Sequence, residues 1–292
     1  MRANRFQNNR INPTSFGTSQ IRLFAILIPL SIILMLPILF VFTTAFKPAD
    51  ELFVFPPQFF VYHPTWDNFT RLFKEMSTSA VPASRYLFNS LLVALLTVVL
   101  SVVLSISAAY ILSKKDFKGK KFLFDLNTLA IEFVPIAVSV PRFIIITKLG
   151  LTNLFVSNIL PIIAMPVGLF LVKQFVDQIP DSLIEAAYLD GANELDILFR
   201  VIIPMTKPAI ATIAILSFQS AWGNVEASTL YLTNESFKTF AYYITSFTSS
   251  NTSGVGQGMA AAATLIMFVP NLLIFIFMQS QVMDTMAYSG IK

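Results

Sequence analysis

The chain has 292 residues, 55% hydrophobic and only 12% charged, whereas soluble domains are roughly 25% charged. With mean hydropathy +0.70 it reads as a polytopic membrane protein whose main solvent is lipid, and its net charge of +4, gathered in short segments beside apolar runs, needs no nucleic-acid partner to explain it. Zero cysteines exclude disulfides, thiolate metal sites and cysteine nucleophiles, and the one histidine, His63, cannot form a histidine metal cluster.

Residues 1–22 carry Arg2, Arg5, Arg10 and Arg22 and no acid, a basic tail expected on the cytoplasmic side. Residues 23–46 are apolar throughout. The run is longer than a signal-peptide core and shows no small-residue cleavage site, so it reads as the first span, with Pro29 and Pro37 as kink points. Residues 47–85 form a charge-balanced loop containing FPPQFF and WDNF, where Pro56, Pro57 and Pro64 argue against one continuous helix. Residues 86–113 are the second span, in which Ser101, Ser105, Ala108 and Ala109 permit close helix approach. KKDFKGKK, residues 114–121, sets five lysines against one aspartate, the strongest inside signal in the chain. Its Gly119-Lys120 pair lacks the earlier glycine and the following Ser or Thr of a phosphate-binding loop.

Residues 122–148 make a third span, interrupted by Pro135 and Pro141 and holding Glu132 and Arg142. A charge at membrane depth costs roughly 2.5–3.5 kcal/mol on insertion scales, so such residues face a cavity or a partner. At about 1.5 Å per residue the two lie ~15 Å apart along a helix and are not an adjacent pair. Two readings stay open: both line a substrate pathway, or Arg142 snorkels to the outer interface while Glu132 bonds a neighbouring helix. After the KLGLTN turn, residues 154–172 form the fourth span, with Pro161, Pro166 and Gly168.

Residues 178–208, QIPDSLIEAAYLDGANELDILFRVIIPMTKP, are a polar amphipathic island between apolar runs. Asp181 or Ser182 is placed to cap a helix with Ile184, Ala187 and Tyr188 on one face, Gly191 supplies a bend, and a second helical piece over 194–203 stops near Pro204 and Pro208. Two short helices with a glycine elbow make a rigid knob outside the bilayer, suited to docking in a cleft on another protein. Residues 209–223 are the fifth span and end in FQSAWGN. There Gln219 and Asn224 offer amides for hydroxyls and Trp222 offers a ring for an apolar sugar face, although tryptophan is equally at home at a bare membrane interface. Residues 225–258 form a loop whose Ser/Gly/Asn run from 249 to 258 reads as flexible; 259–282 are the sixth span and 283–292 a short tail. Six spans with both termini cytoplasmic satisfy the charge pattern, and no internal repeat is evident.

Glu185-Ala186-Ala187, three residues, Gly191, nine residues, then Val201-Ile202-Ile203-Pro204 resembles the EAA loop of ABC-importer permeases. The family pattern has Ile where Val201 stands and Leu where Ile203 stands. The wider string, IPDSLIEAAYLDGA with IIPMTKPAI, is most similar to the maltose-permease-like carbohydrate group. The bare alternative is a helical hairpin that only joins two spans.

The resemblance implies an all-α type I ABC-importer permease fold with six transmembrane helices in a bacterial cytoplasmic membrane. It divides the chain into residues 1–84, the basic tail, first helix and external loop, and 85–292, a core of five helices with coupling loop 178–208. It implies that Glu185, Ala186, Ala187, Gly191 and Pro204 couple the chain to a separate dimeric ATPase, which binds the ATP and Mg; this chain carries no cofactor and is not itself an enzyme. A homologous second permease subunit and an extracytoplasmic solute-binding protein are the other implied partners, with residues 225–258 reaching toward the latter. The C-terminal Tyr288, Gly290 and Lys292 are implied to touch the ATPase. Substrate-pathway candidates are Glu132, Arg142, Gln219, Trp222 and Asn224. The implied substrate is a carbohydrate, an oligosaccharide foremost; Arg142, where the family often has apolar residues, adds an acidic oligosaccharide as an option. Trp222-Gly223-Asn224 departs from the family's WND-type string. Another small polar solute, an ion-coupled transporter using Glu132, and a non-transporting scaffold are the competing classes.

Overall fold

The computed structural model describes residues 18–78, 81–250 and 254–289, and among these every regular element is helical. The helices are α1 (Thr18–Ala45), α2 (Ala49–Leu52), α3 (Asp67–Thr78), α4 (Ala83–Lys114), α5 (Lys120–Glu132), α6 (Ser139–Lys148), α7 (Leu160–Ile163), α8 (Pro166–Asp177), α9 (Asp181–Leu189), α10 (Glu194–Ile197), α11 (Ile203–Met205), α12 (Lys207–Trp222), α13 (Glu226–Leu230), α14 (Phe240–Ser250) and α15 (Gly254–Ser289). Long apolar segments become helices because lipid offers the backbone no partner, so N–H and C=O must pair within the segment; α1 persists through Pro29 and Pro37 for that reason.

Among the described residues, α1, α4 and α15 are long and apolar enough to cross a membrane. Counting Phe155–Ile163 with Pro166–Asp177, bent by 45°, and Glu194–Met205 with Lys207–Leu230, bent by 84°, as one span each raises the number to five. The third span expected over 122–148, interrupted by Pro135 and Pro141, takes the form of two short helices, α5 and α6, separated by residues 133–138. Pro135 disfavours the helical conformation at Val134 and cannot donate to the ladder, so the chain breaks there instead of kinking. Pro141 sits in the first turn of α6, where no intrahelical partner awaits its missing N–H.

The chain divides into two compact units. One takes in the described residues within Met1–Leu72 and Thr252–Leu265. Its centre is Phe46, whose ring lies 5.0 Å from Trp66 and 5.1 Å from Phe69. The Asn68 amide donates to the carbonyls of Ala45 (3.0 Å) and Lys47 (2.7 Å). Buried Glu51 accepts the backbone N–H groups of Tyr62 (3.0 Å) and His63 (2.8 Å), so the proline-rich loop is tied to a carboxylate rather than left free. Residues 254–258, expected to be flexible, are instead the first turn of α15; a Cβ on Gly258 would stand 2.5 Å from Asn68 Oδ1, so the close approach requires glycine. Residues 251–253 of that run lie outside the described residues, as do 1–17 of the basic tail.

The other unit, within Phe73–Asn251 and Ile266–Lys292, is built on α4. α7, α8 and α12 pack along it, with Ser101, Ser105 and Ala109 at the contacts. Ser101 Oγ donates to the Ile163 carbonyl at 3.0 Å, and a Cβ on Gly168 would meet Ser105 Oγ at 3.2 Å and Ile213 at 3.3 Å. One buried cluster joins Ile106, Ala109 and Tyr110 of α4 to Val172 and Val176 of α8 and Ile213 of α12. At the other end of α4, Tyr86 donates to Glu235 (3.0 Å), Asn89 to the carbonyls of Ser236 and Lys238 (2.8 Å each), and Ser90 Oγ accepts Phe240 N–H (2.8 Å).

Candidate functional site

The island of residues 178–208 folds as the expected pair of short helices, with corrected ends. Pro180 occupies the N-cap position of α9 without a side-chain cap; Asp181 is the first helical residue, and its carboxylate takes the Lys114 ammonium at 2.7 Å. At the far end Gly191 has φ +80°. Its N–H bonds Tyr188 O (3.0 Å) while Ala192 N–H bonds Ala187 O (2.9 Å), the paired 5→2 and 6→1 bonds of a Schellman stop. Gly191 is thus a helix terminator that only a residue at ease with positive φ can supply. α10 opens on a capping box: Asn193 Oδ1 accepts Asp196 N–H (3.0 Å) and Asp196 Oδ2 accepts Asn193 N–H (3.3 Å). The helical path then continues past the expected stop. Residues Leu198–Ile202 form a π turn, in which Ile203 N–H reaches Leu198 O, and α11 carries the chain over exposed Pro204 to Met205. Widening the turn accommodates the proline, which has no N–H for the Arg200 carbonyl. The 84° bend follows at Thr206, whose hydroxyl donates to Ile202 O at 2.8 Å.

The inner face of this knob, Ile184, Ile197 and Ile202, joins the buried cluster of α4, α8 and α12, with Ala187 packed against it. The outer face presents Glu185 and Ala186 together with Leu189, Leu195 and Phe199, which are 89%, 65% and 62% exposed. These three apolar side chains escaped sequence reasoning because helical periodicity alone does not say which leucine faces outward.

The knob is also fastened to the C-terminal end of α4 and its C-cap residue Lys115. Glu194 Oε2 accepts the Tyr110 hydroxyl at 2.7 Å; Oε1 accepts the Tyr188 hydroxyl at 2.6 Å and the Lys115 ammonium. Lys115 donates in addition to Tyr188 Oη at 2.8 Å. The Lys115 ammonium, followed by the Tyr188 and Tyr110 hydroxyls, holds the Glu194 carboxyl down at about 2. One residue earlier, Lys114 binds the Ile179 carbonyl as well as Asp181.

A second feature lies where three helical runs are interrupted. The breaks at 133–138, at 164–165 and after Trp222 meet around a cavity of 410 Å³ lined by Pro135, Arg142, Ser220, Asn224 and Glu226, among others. Backbone that leaves the helical ladder at membrane depth is tolerated where it lines a cavity, and such interruptions mark solute sites in transporters. Arg142 Nη1 lies 3.3 and 3.4 Å from the two Glu226 oxygens, and the Tyr231 hydroxyl donates to Glu226 Oε1 at 3.1 Å. Lone snorkelling does not describe Arg142: its partner, Glu226, stands 84 positions away and carries no local signal.

Of the substrate-pathway candidates, Arg142 and Asn224 share this cavity. Asn224 Oδ1 also accepts Ala227 N–H (3.1 Å) in the first turn of α13. Gln219 is exposed on α12 and Glu132 is exposed at the end of α5, both outside the cavity lining. Trp222 is 2% exposed: its ring stacks on Phe218 at 5.6 Å and its indole N–H donates to Met267 O at 3.0 Å, so it packs inside the protein. Tyr288 lies on α15, while Gly290 and Lys292 lie outside the described residues.

Comparison with known proteins agrees with this architecture. The sulfoquinovosyl glycerol transport system permease protein SmoH of Agrobacterium fabrum is 28% identical over 258 residues, 88% of each chain. The arabinooligosaccharides transport system permease protein AraQ of Bacillus subtilis is 29% identical over 280 residues, 95% of this chain and 97% of its own length. A crystal structure of a bacterial ABC transporter involved in import of the acidic polysaccharide alginate contains a chain of the same fold, with TM-score 0.76 and 21% identity over 91% of this chain and 99% of that one. The profile described as "Binding-protein-dependent transport system inner membrane component" covers residues 101–282, more than half of the sequence. The chain, a multi-pass membrane protein, belongs to that family of binding-protein-dependent transport system inner membrane components.

Proposed function

We propose that this protein is the transmembrane permease subunit of an ATP-driven importer that carries a carbohydrate, foremost an oligosaccharide, across a bacterial cytoplasmic membrane. The observation that carries the reading is near-full-length similarity to two permeases named for carbohydrate-containing solutes. The polar cavity at the helix breaks supports it, since a hydroxyl, an amide and an ion pair suit hydroxyl-bearing solutes. In this reading the chain crosses the membrane six times, with α5 and α6 together as the third crossing and both termini cytoplasmic. The outer face of the knob, with Glu185, Ala186, Leu189, Leu195 and Phe199, docks on a dimeric ATPase that binds ATP and Mg, and Tyr288, Gly290 and Lys292 touch the same partner. A homologous permease completes the pathway and an extracytoplasmic binding protein delivers solute. Differential binding of the knob to the two nucleotide states of the ATPase shifts the access equilibrium; equal affinity for both shifts nothing.

A second reading, an acidic oligosaccharide, is favoured by Arg142 in the cavity wall. Glu226 already neutralises that guanidinium, so an anionic solute must compete with it. The test is solute-stimulated ATP hydrolysis by the reconstituted complex with its binding protein, across neutral and uronate-containing oligosaccharides, in wild type and Arg142→Leu. Stimulation by acidic sugars that the variant selectively loses establishes the second reading, whereas stimulation by neutral sugars in both establishes the first. Uptake that ignores ATP and collapses with a proton uncoupler defeats the importer reading altogether.

A further inference from the structure

Glu194 stands outside the E-A-A, glycine and proline positions of the loop pattern, yet three elements meet at its carboxylate. Tyr110 comes from α4 and Lys115 is the C-cap residue that ends it, Tyr188 comes from α9, and Glu194 itself opens α10. Lys115 Nζ also lies over both tyrosine rings, 5.6 Å from the Tyr110 centroid and 5.4 Å from that of Tyr188. A carboxylate accepting one ammonium and two hydroxyls is a set of charge-assisted bonds, roughly twice as strong as neutral ones. Tyr110 is buried, so its hydroxyl has no easy exchange with water.

The place of this cluster matters more than its strength. From Tyr110 back to Tyr86 α4 is unbroken, about 36 Å of helix at 1.5 Å per residue. Its middle carries Val93 and Ala94 against Trp222, next to the break that opens the cavity, and its far end holds segment 235–240 through Tyr86, Asn89 and Ser90. A push on the knob reaches those places only if knob and α4 move together. Apolar packing of Ile184 and Ile197 is non-directional and permits sliding, whereas the Glu194 contacts fix register.

On the strength of this geometry, and resting on the importer reading above, we propose that Glu194 is a positioning residue that clamps both helices of the knob to α4 through Tyr110, Lys115 and Tyr188, making α4 the rod that carries the ATPase stroke to the cavity. Glu194 faces α4, not the docking face, so its loss uncouples hydrolysis from transport without abolishing hydrolysis.

The test is transport per ATP hydrolysed, measured in proteoliposomes holding the full complex. For Glu194→Gln the ratio falls about fivefold or more while the ATPase still copurifies and hydrolyses ATP. Tyr110→Phe and Tyr188→Phe each lower it less. Because the chain has no native cysteine, Lys115→Cys with Glu194→Cys gives a unique pair. That variant is uncoupled as thiols and recovers when bridged by a short bismaleimide, which a purely stabilising role for the carboxylate does not foresee. An unchanged ratio in Glu194→Gln, or a bridged pair that stays uncoupled, overturns the clamp. If Glu194→Gln does not assemble, the bridged pair decides alone. Wild-type complex without ATP-driven uptake instead overturns the importer reading itself, so the two failures are distinguishable.

Discussion

Substitutions at Gly191 graded by backbone tolerance separate the cost of the turn from the cost of space. The residue sits at φ +80°, and a Cβ built there meets no atom within 4 Å. The intramolecular penalty for any L-residue is therefore conformational alone, about 1–2 kcal/mol in the left-handed region and less for asparagine. At about 1.4 kcal/mol per tenfold, that lowers the equilibrium constant for forming the Schellman-terminated knob by a factor of roughly 5 to 30. Gly191→Asn is expected to transport nearly as wild type, Gly191→Ala and Gly191→Leu to fall together by up to that factor, and Gly191→Val to fall furthest because β-branching narrows the accessible φ. Solute uptake and ATP hydrolysis in proteoliposomes give the functional reading, and hydrogen exchange at Gly191 and Ala192 reports the turn itself. If Leu is far worse than Ala, or Asn as damaging as Val, the backbone argument is refuted and a partner surface against the elbow limits the position.

Trp222→Ala is expected to destabilise the detergent-purified protein by about 3–5 kcal/mol, and Trp222→Phe by less, because the ring is buried and its N–H satisfies Met267 O; a thermal midpoint unchanged by Trp222→Ala contradicts this. Arg142→Leu leaves Glu226 without its ion-pair partner, so Arg142→Leu with Glu226→Gln should be more stable than Arg142→Leu alone by about 1 kcal/mol, read from a double-mutant cycle of thermal midpoints. Gly168→Val wedges methyl groups between α4 and α12 and should cost about 1–3 kcal/mol, seen as a lower folded yield; full yield argues that the helices separate freely there. Transport per ATP should be flat from pH 5.5 to 8.5. Glu194 is depressed from 4.5 to about 2, so its contribution is complete above 4.5 and lost as pH falls toward 2; Lys115 is raised from 10.5 by its bonds to Glu194 and Tyr188, so its contribution is complete below 10.5. A midpoint inside the measured window would show another group in control.

Local pattern was legible where local physics decides. Hydropathy located α1, α4 and α15, the small residues of α4 marked its contact with α8, and the loop spacing located the knob and its glycine. Pro135 shows where that stops: the proline marked an interruption of the apolar run, but whether it makes a kink or a six-residue break between two helices is not written in local pattern. Arg142 and Glu194 show the other limit. Their partners Glu226 and Tyr110 each stand 84 residues away, so charge patterning could flag a costly residue but not complete it. Trp222 misled for a related reason, since composition tells which groups are available and not which way a ring turns.

The convergence of three helix interruptions on one cavity has a consequence for how such a protein changes over time. The interruptions, set by proline and glycine, leave backbone groups outside the helical ladder beside the cavity, and the backbone path survives most side-chain replacements. Under the importer reading proposed above, a lineage can exchange Arg142, Ser220 or Asn224 and retune what the cavity prefers while the helix breaks stay in place. In that reading, separating scaffold from lining lets relatives at 28–29% identity bear the names of quite different carbohydrates.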